Sequence, residues 1–231
     1  MVYLTELARM LDDRPIVGFC APGLMEGEEP LSTVDGMARR YHAEMVGEGL
    51  RPPFTVVGMC IGGVIALELA QRLGADLVDA VALVDAWLPE TAGPIEWDDM
   101  QEMFHLGRLM TLNVLRERGD PLRVNWRMLC TQATRILPVY KAMADAWLSH
   151  EPRPYGGRVI LFHFDRHHAV KGPELEEMQE SNRAAWENAI GRSVEVVKLP
   201  ACGGIDHGFE APSAEVMGRT LRSVRLEVAG R

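Results

Sequence analysis

Hydrophobic positions along this chain follow two rhythms. Five short runs rich in β-branched residues read as strands: Pro15–Ala21 (PIVGFCA), Phe54–Gly58 (FTVVG), Val78–Val84 (VDAVALV), Arg158–Phe164 (RVILFHF) and Val194–Leu199 (VEVVKL). Between and after them, apolar residues recur at helical spacing. The predicted helices are Thr33–Glu48, with Ser32 or Thr33 as N-cap, Ile61–Leu73, which Gly74 ends, Glu174–Ile190, and a last one from about Ser213 to Leu226. The run at Pro15–Ala21 is expected to be buried. Strands alternating with helices imply one mainly parallel sheet covered on both faces.

One interval breaks the alternation. From about 89 to 154 no strand pattern occurs, while DDMQEMFHLGRLMTLNVLRER and VYKAMADAWLSH have helical periodicity. The reading is a single domain over 1–231 with a helical insertion at about 89–154. An α/β-hydrolase carries a lid at such a place, between two core strands.

Composition narrows the function. The 231 residues are 47% hydrophobic and 25% charged, enough for one large core, and the net charge of −9 comes without basic runs. Nucleic acid and anionic membranes are poor partners for such a chain. No apolar run approaches 18 residues, and MVYLTELARMLDDRP has no basic n-region or long h-region. Cys20, Cys60, Cys130 and Cys202 form no CxxC pair, which suits free thiols in a reducing cytoplasm. No bound cofactor and no metal are expected. His163, His167 and His168 cluster with Asp165, but no further ligand spacing accompanies them. No nucleotide-binding glycine pattern occurs.

The chemistry concentrates at Val57–Gly63, VGMCIGG. A strand precedes it and a helix follows, which is the setting of the G-x-S-x-G nucleophile turn. Cys60 takes the place of the nucleophile. Gly58 and Gly62 flank it where strand and helix are expected to pass too close for a Cβ, and Gly63 eases the helix against the sheet. The helix start would favour a thiolate at Cys60, and the Ile61 N–H is the natural oxyanion donor. The alternative is a structural cysteine in a tight turn. His207, in the loop before the last helix, is the candidate base; Asp206 beside it is set aside because loop neighbours seldom face one another. Asp85 and Asp165 each follow a strand, so topology leaves the acid open between them. Met100, Met103 and Met110 read as core of the insertion or as lining for a lipophilic chain, and Trp87 as a pocket wall or a packed aromatic.

These segments resemble the thioesterase domains that end nonribosomal peptide synthetases and polyketide synthases. GLMEGEEPLSTVDGMARRYHAEM is similar to that family's segment after its second strand. PFTVVGMCIGGVIALELAQRLG resembles its nucleophile block, P(Y/F)…GxSxGGxxAxExAxxL; ALVDAWLP resembles its acid block, RPYGGRVILF the entry to the strand after the lid, and Gly204–Phe209 its GxH block. The resemblance implies a Cys60–His207–Asp85 triad, with Asp85 preferred to Asp165. It further implies a substrate presented as a thioester on the phosphopantetheine of an acyl or peptidyl carrier protein, in cis or in trans. Two departures stand out: cysteine replaces the usual serine, and Met1–Leu4 resembles the helix that follows the family's first strand. The strand and the second oxyanion donor are therefore expected to be missing. Competing readings are a dienelactone hydrolase-like or polyhydroxyalkanoate synthase-like enzyme, which share the G-x-C-x-G-G turn, and a truncated, inactive domain that docks a carrier protein.

Overall fold

A computed structural model describes residues 5–92, 126–165, 172–200 and 212–229. Four parallel strands form the sheet, in the spatial order β1 (Phe54–Met59), β2 (Val78–Val84), β3 (Val159–Phe164), β4 (Glu195–Leu199). The helices are α1 (Thr5–Met10), α2 (Val34–Gly47), α3 (Ile61–Leu73), α4 (Trp126–Leu148), α5 (Pro173–Ile190) and α6 (Ser213–Ala229).

The alternation of side chains along a strand assigns the two faces. Ala80, Ala82 and Val84 of β2, with Ile160 and Phe162 of β3, pack against Leu7 and Leu11 at the N-terminus and Met217, Leu221 and Val224 of α6. Val81, Leu83 and Leu161 point the other way, into a larger core with Val34 and Met37 of α2, Val64 and Leu67 of α3, and Trp186 and Ile190 of α5. A sheet buried on both faces explains why β2 and β3 read as near-continuous apolar runs.

The helix boundaries follow from local chemistry. Thr33 caps α2 from an extended backbone, and its hydroxyl accepts the Gly36 N–H at 3.1 Å. Gly74 ends α3 at φ 92°, donating its N–H to the Ala70 carbonyl. Among the described residues, no strand lies between β2 and β3, and the insertion contributes the 23-residue helix α4. A buried carboxylate ties its far end down. Glu68 of α3, 2% exposed, receives Arg153 at 2.8 Å and Arg72 at 3.5 Å.

The segment Pro15–Ala21 is not the buried strand that its composition predicts. It forms no ladder, and Ile16 and Val17 are 36% and 46% exposed. A β-branched run becomes a strand only beside a neighbour that takes its N–H and C=O groups. Among the described residues, β1 pairs with β2 alone, so no strand adjoins this segment.

Candidate active site

The carboxyl ends of the parallel strands bring the candidate residues to one edge of the sheet, where open α/β sheets hold their ligands. Cys60 follows β1, Asp85 follows β2 and Asp165 follows β3. Backbone hydrogen bonds run on past the strands. The Cys60 N–H donates to the Val84 carbonyl at 2.8 Å, and the Asp85 N–H donates to the Phe162 carbonyl at 2.8 Å. Cys60 is thereby held beside the residue that precedes Asp85. Asp165 lies one strand further away, its N–H bonded to the Leu199 carbonyl.

Cys60 and Asp85 share a second property. They are the non-glycine residues with positive φ among the described residues, at 52° and 46°. Such backbone costs an L-residue of order 1–3 kcal/mol and persists only where the surroundings impose it. At Cys60, with ψ −129°, the imposing partner is the close pass of β1 and α3. A Cβ on Gly58 would lie 1.9 Å from the Gly62 carbonyl oxygen, and one on Gly63 would lie 2.4 Å from Ala86 Cβ. Gly62 differs from expectation: a Cβ there meets nothing within 4 Å among the described residues. The first glycine of the turn and Gly63 make the close approach possible; Gly62 does not.

Cys60 is exposed, yet protein crowds its sulfur closely enough that desolvation raises the thiol pKa. The Ile61 backbone N–H bonds toward the sulfur and pulls the pKa down, while the Asp85 carboxylate pushes it up again. The balance is upward. The helix start therefore supplies the expected N–H but does not by itself make a thiolate. His207, the candidate base, lies outside the described residues, as do Asp206, His167, His168, Met100, Met103 and Met110 and the Met1–Leu4 segment.

His163 does not face the loop beyond β3 with which its neighbours cluster in sequence. It is 1% exposed, on the α5 side of the sheet. Burial, and then the Lys198 charge, lower its pKa to about 4, so it is neutral. The Asn182 side-chain N–H bonds to His163 Nε2 at 3.2 Å, and the imidazole stacks on Trp87 with centroids 5.5 Å apart and planes 11° apart. Trp87 in turn donates its indole N–H to Asp85 Oδ1 at 2.9 Å. That bond was not readable from the sequence. A signal for Asn182 was: Leu175, Gln179, Asn182, Trp186 and Ile190 form the buried stripe of α5, and two of them are polar. A buried amide on an apolar stripe has hydrogen bonds to make.

Residues 3–201 match the family described as the thioesterase domain. The chain belongs to that family. Relatives of this thioesterase domain include the nonribosomal peptide synthetase pngA of Aspergillus terreus (strain NIH 2624 / FGSC A1156), 29% identical over 126 residues, which are 52% of this chain and 13% of that protein. Atromentin synthetase nps3 of Serpula lacrymans var. lacrymans (strain S7.9) is 34% identical over 148 residues, 61% of this chain and 15% of its own. The thioesterase domain thus spans a small part of the curated relatives it matches. Among solved structures, the NocB thioesterase domain in covalent complex with a fluorophosphonate nocardicin G analog superimposes with a TM-score of 0.62 at 20% identity, covering 96% of this chain and 88% of that one. The RedJ thioesterase from the prodiginine pathway of Streptomyces coelicolor gives 0.61 at 18% identity, covering 96% and 85%. These neighbours establish the α/β-hydrolase fold, and the family match makes the chain a thioesterase domain.

Proposed function

We propose that this thioesterase domain releases an acyl or peptidyl chain from the phosphopantetheine thioester of a carrier protein, through an acyl-enzyme on Cys60. The observation that carries the reading is the strained Cys60 at the β1–α3 turn, with the Ile61 N–H directed at its sulfur. Strained backbone at φ 52° is what a tight strand-to-helix nucleophile turn imposes, and Cys60 is exposed there and not part of the packed core. The relatives include whole synthetases, which supports a carrier-bound substrate.

In the proposed sequence, His207 takes the Cys60 thiol proton as the sulfur attacks the thioester carbonyl. The Ile61 N–H stabilises the oxyanion. Collapse breaks the bond to the phosphopantetheine sulfur, which leaves as the thiol with the proton from His207. Water, or an amine or hydroxyl of the chain itself, then attacks the Cys60 thioester with His207 again as base. Asp85 orients His207 and stabilises its charged form. Its adjacency to the Cys60 turn supports Asp85 over Asp165 for this role. Both thioesters are similarly activated, so the acyl-enzyme is no deep resting point; an oxygen ester would be deeper. Cysteine therefore suits release into a strained or slowly closing ring.

Intact-protein mass spectrometry after loading with an acyl-pantetheine thioester tests the reading. An acyl adduct is expected on wild type and absent on Cys60→Ala. No adduct on folded wild type would overturn it in favour of an inactive carrier-docking domain. The preference for cyclisation fails if Cys60→Ser shows an unchanged rate and an unchanged ratio of cyclised to hydrolysed product.

A further inference from the structure

Three indoles and one imidazole close on the loop that carries Asp85. Trp186 donates its N–H to the Ala86 carbonyl and Trp147 donates to the Trp87 carbonyl, each at 2.9 Å. Trp87 differs from both, because its N–H goes to the Asp85 carboxylate. A tryptophan that only filled space could leave its N–H to a backbone carbonyl, as these two do. We propose that Trp87 is a positioning residue for catalysis, whose indole N–H fixes the rotation of the Asp85 carboxylate toward the base. The proposal rests on the reading of Asp85 as the acid of the triad.

Two buried side chains, His163 and Asn182, hold the Trp87 ring and its loop in place. His163 stacks on the indole from the sheet side, nearly parallel to it. Asn182 fixes His163 by donating to Nε2, so the imidazole carries its proton on Nδ1. The same amide donates to the Ala86 carbonyl at 2.9 Å, while its oxygen accepts the Leu88 N–H at 3.2 Å and the Thr91 hydroxyl at 2.8 Å. One fully buried amide thus braces the loop on both sides of Trp87 as well as the ring beneath it. A carboxylate turns about two side-chain bonds, and one donor on Oδ1 removes much of that freedom. Charge-assisted bonds of this kind are stronger than neutral ones.

The test is a double-mutant cycle, since a residue that acts through Asp85 loses its effect when the carboxylate is gone. Single-turnover acylation of Cys60 by an acyl-pantetheine thioester is followed by mass spectrometry in wild type, Trp87→Phe, Asp85→Asn and the double variant. Phenylalanine keeps a stacked ring and removes the N–H. Trp87→Phe is expected to slow acylation about tenfold or more at saturating substrate, with half-saturation within about twofold of wild type. In the Asp85→Asn background the same change is expected to alter the rate less than about twofold. His163→Phe, which keeps the indole and most of the core volume, gives a smaller loss that Asp85→Asn also abolishes, and it reads the coupling even if Trp87→Phe does not fold. A rate within twofold of wild type for Trp87→Phe, with Asp85→Asn impaired, overturns the role of Trp87 alone. A loss that persists in full in the Asp85→Asn background also overturns it, as the mark of a packing role. An unimpaired Asp85→Asn overturns the triad reading, and this proposal with it.

Discussion

At Cys60 two opposing influences meet on one sulfur. Desolvation raises the thiol pKa more than the Ile61 N–H lowers it, so reactivity near neutral pH has to come from a partner base. Alkylation by iodoacetamide checks this. In His207→Ala the rate should climb with pH with a midpoint above the ordinary thiol range, whereas wild type should retain reactivity toward neutrality. A second titration belongs to His163. Its folded pKa of about 4 lies below the ordinary histidine value of 6.5, so the unfolded chain takes up a proton first as pH falls. The stability this residue contributes is complete above pH 6.5, declines as the pH falls toward 4, and is lost in full below that. Between pH 6.5 and 5 the loss is of order 1–2 kcal/mol. Urea unfolding at the two pH values should show a fall in the wild type that is smaller by about that amount in His163→Phe.

Among the elements, the β1–α3 turn makes the sharpest distinctions. Gly58→Ala and Gly63→Ala place a Cβ inside backbone or a packed methyl, and each should cost several kcal/mol or prevent folding. A Cβ on Gly62 meets nothing within 4 Å among the described residues, and in the first turn of α3 alanine is a better helix former by about 1 kcal/mol. The thermal midpoint of Gly62→Ala should match or exceed wild type. Sequence alone treats Gly58 and Gly62 alike, because spacing shows that a turn is tight without showing which side of it is crowded. The strands β1 to β4 and helices α2, α3, α5 and α6 are legible because each carries its own hydrophobic periodicity. Pro15–Ala21 departs from its expected strand for the converse reason: its apolar residues fit a strand, but strand formation depends on a neighbour that local pattern does not supply. Turn chemistry singles out Cys60 as the candidate nucleophile, whereas strand ends leave Asp85 and Asp165 open and only the family resemblance prefers Asp85. The bond from Trp87 to Asp85 is not legible there, since residue type does not announce which acceptor an indole N–H will meet.

Across the whole molecule, Glu68 joins the sheet-covering helix α3 to the segment that leads from α4 into β3. A carboxylate buried this deeply is costly without its guanidinium partners. Arg153→Ala leaves Glu68 with Arg72 at 3.5 Å, and because Arg153 is mostly exposed the change should lower stability by only about 1 kcal/mol in chemical denaturation. Arg153→Ala combined with Arg72→Ala strips both guanidinium partners and should cost more than the sum of the two single changes. The three indoles around the Asp85 loop carry a different consequence. Trp87, Trp147 and Trp186 are three of the five tryptophans in the chain, and all three touch the backbone or carboxylate of residues 85–87. These indoles are therefore bonded to the loop that carries the proposed acid. The proposed acylation of Cys60 should then register as a change in intrinsic ultraviolet emission without an attached dye, and stopped-flow fluorescence of wild type against Cys60→Ala checks it.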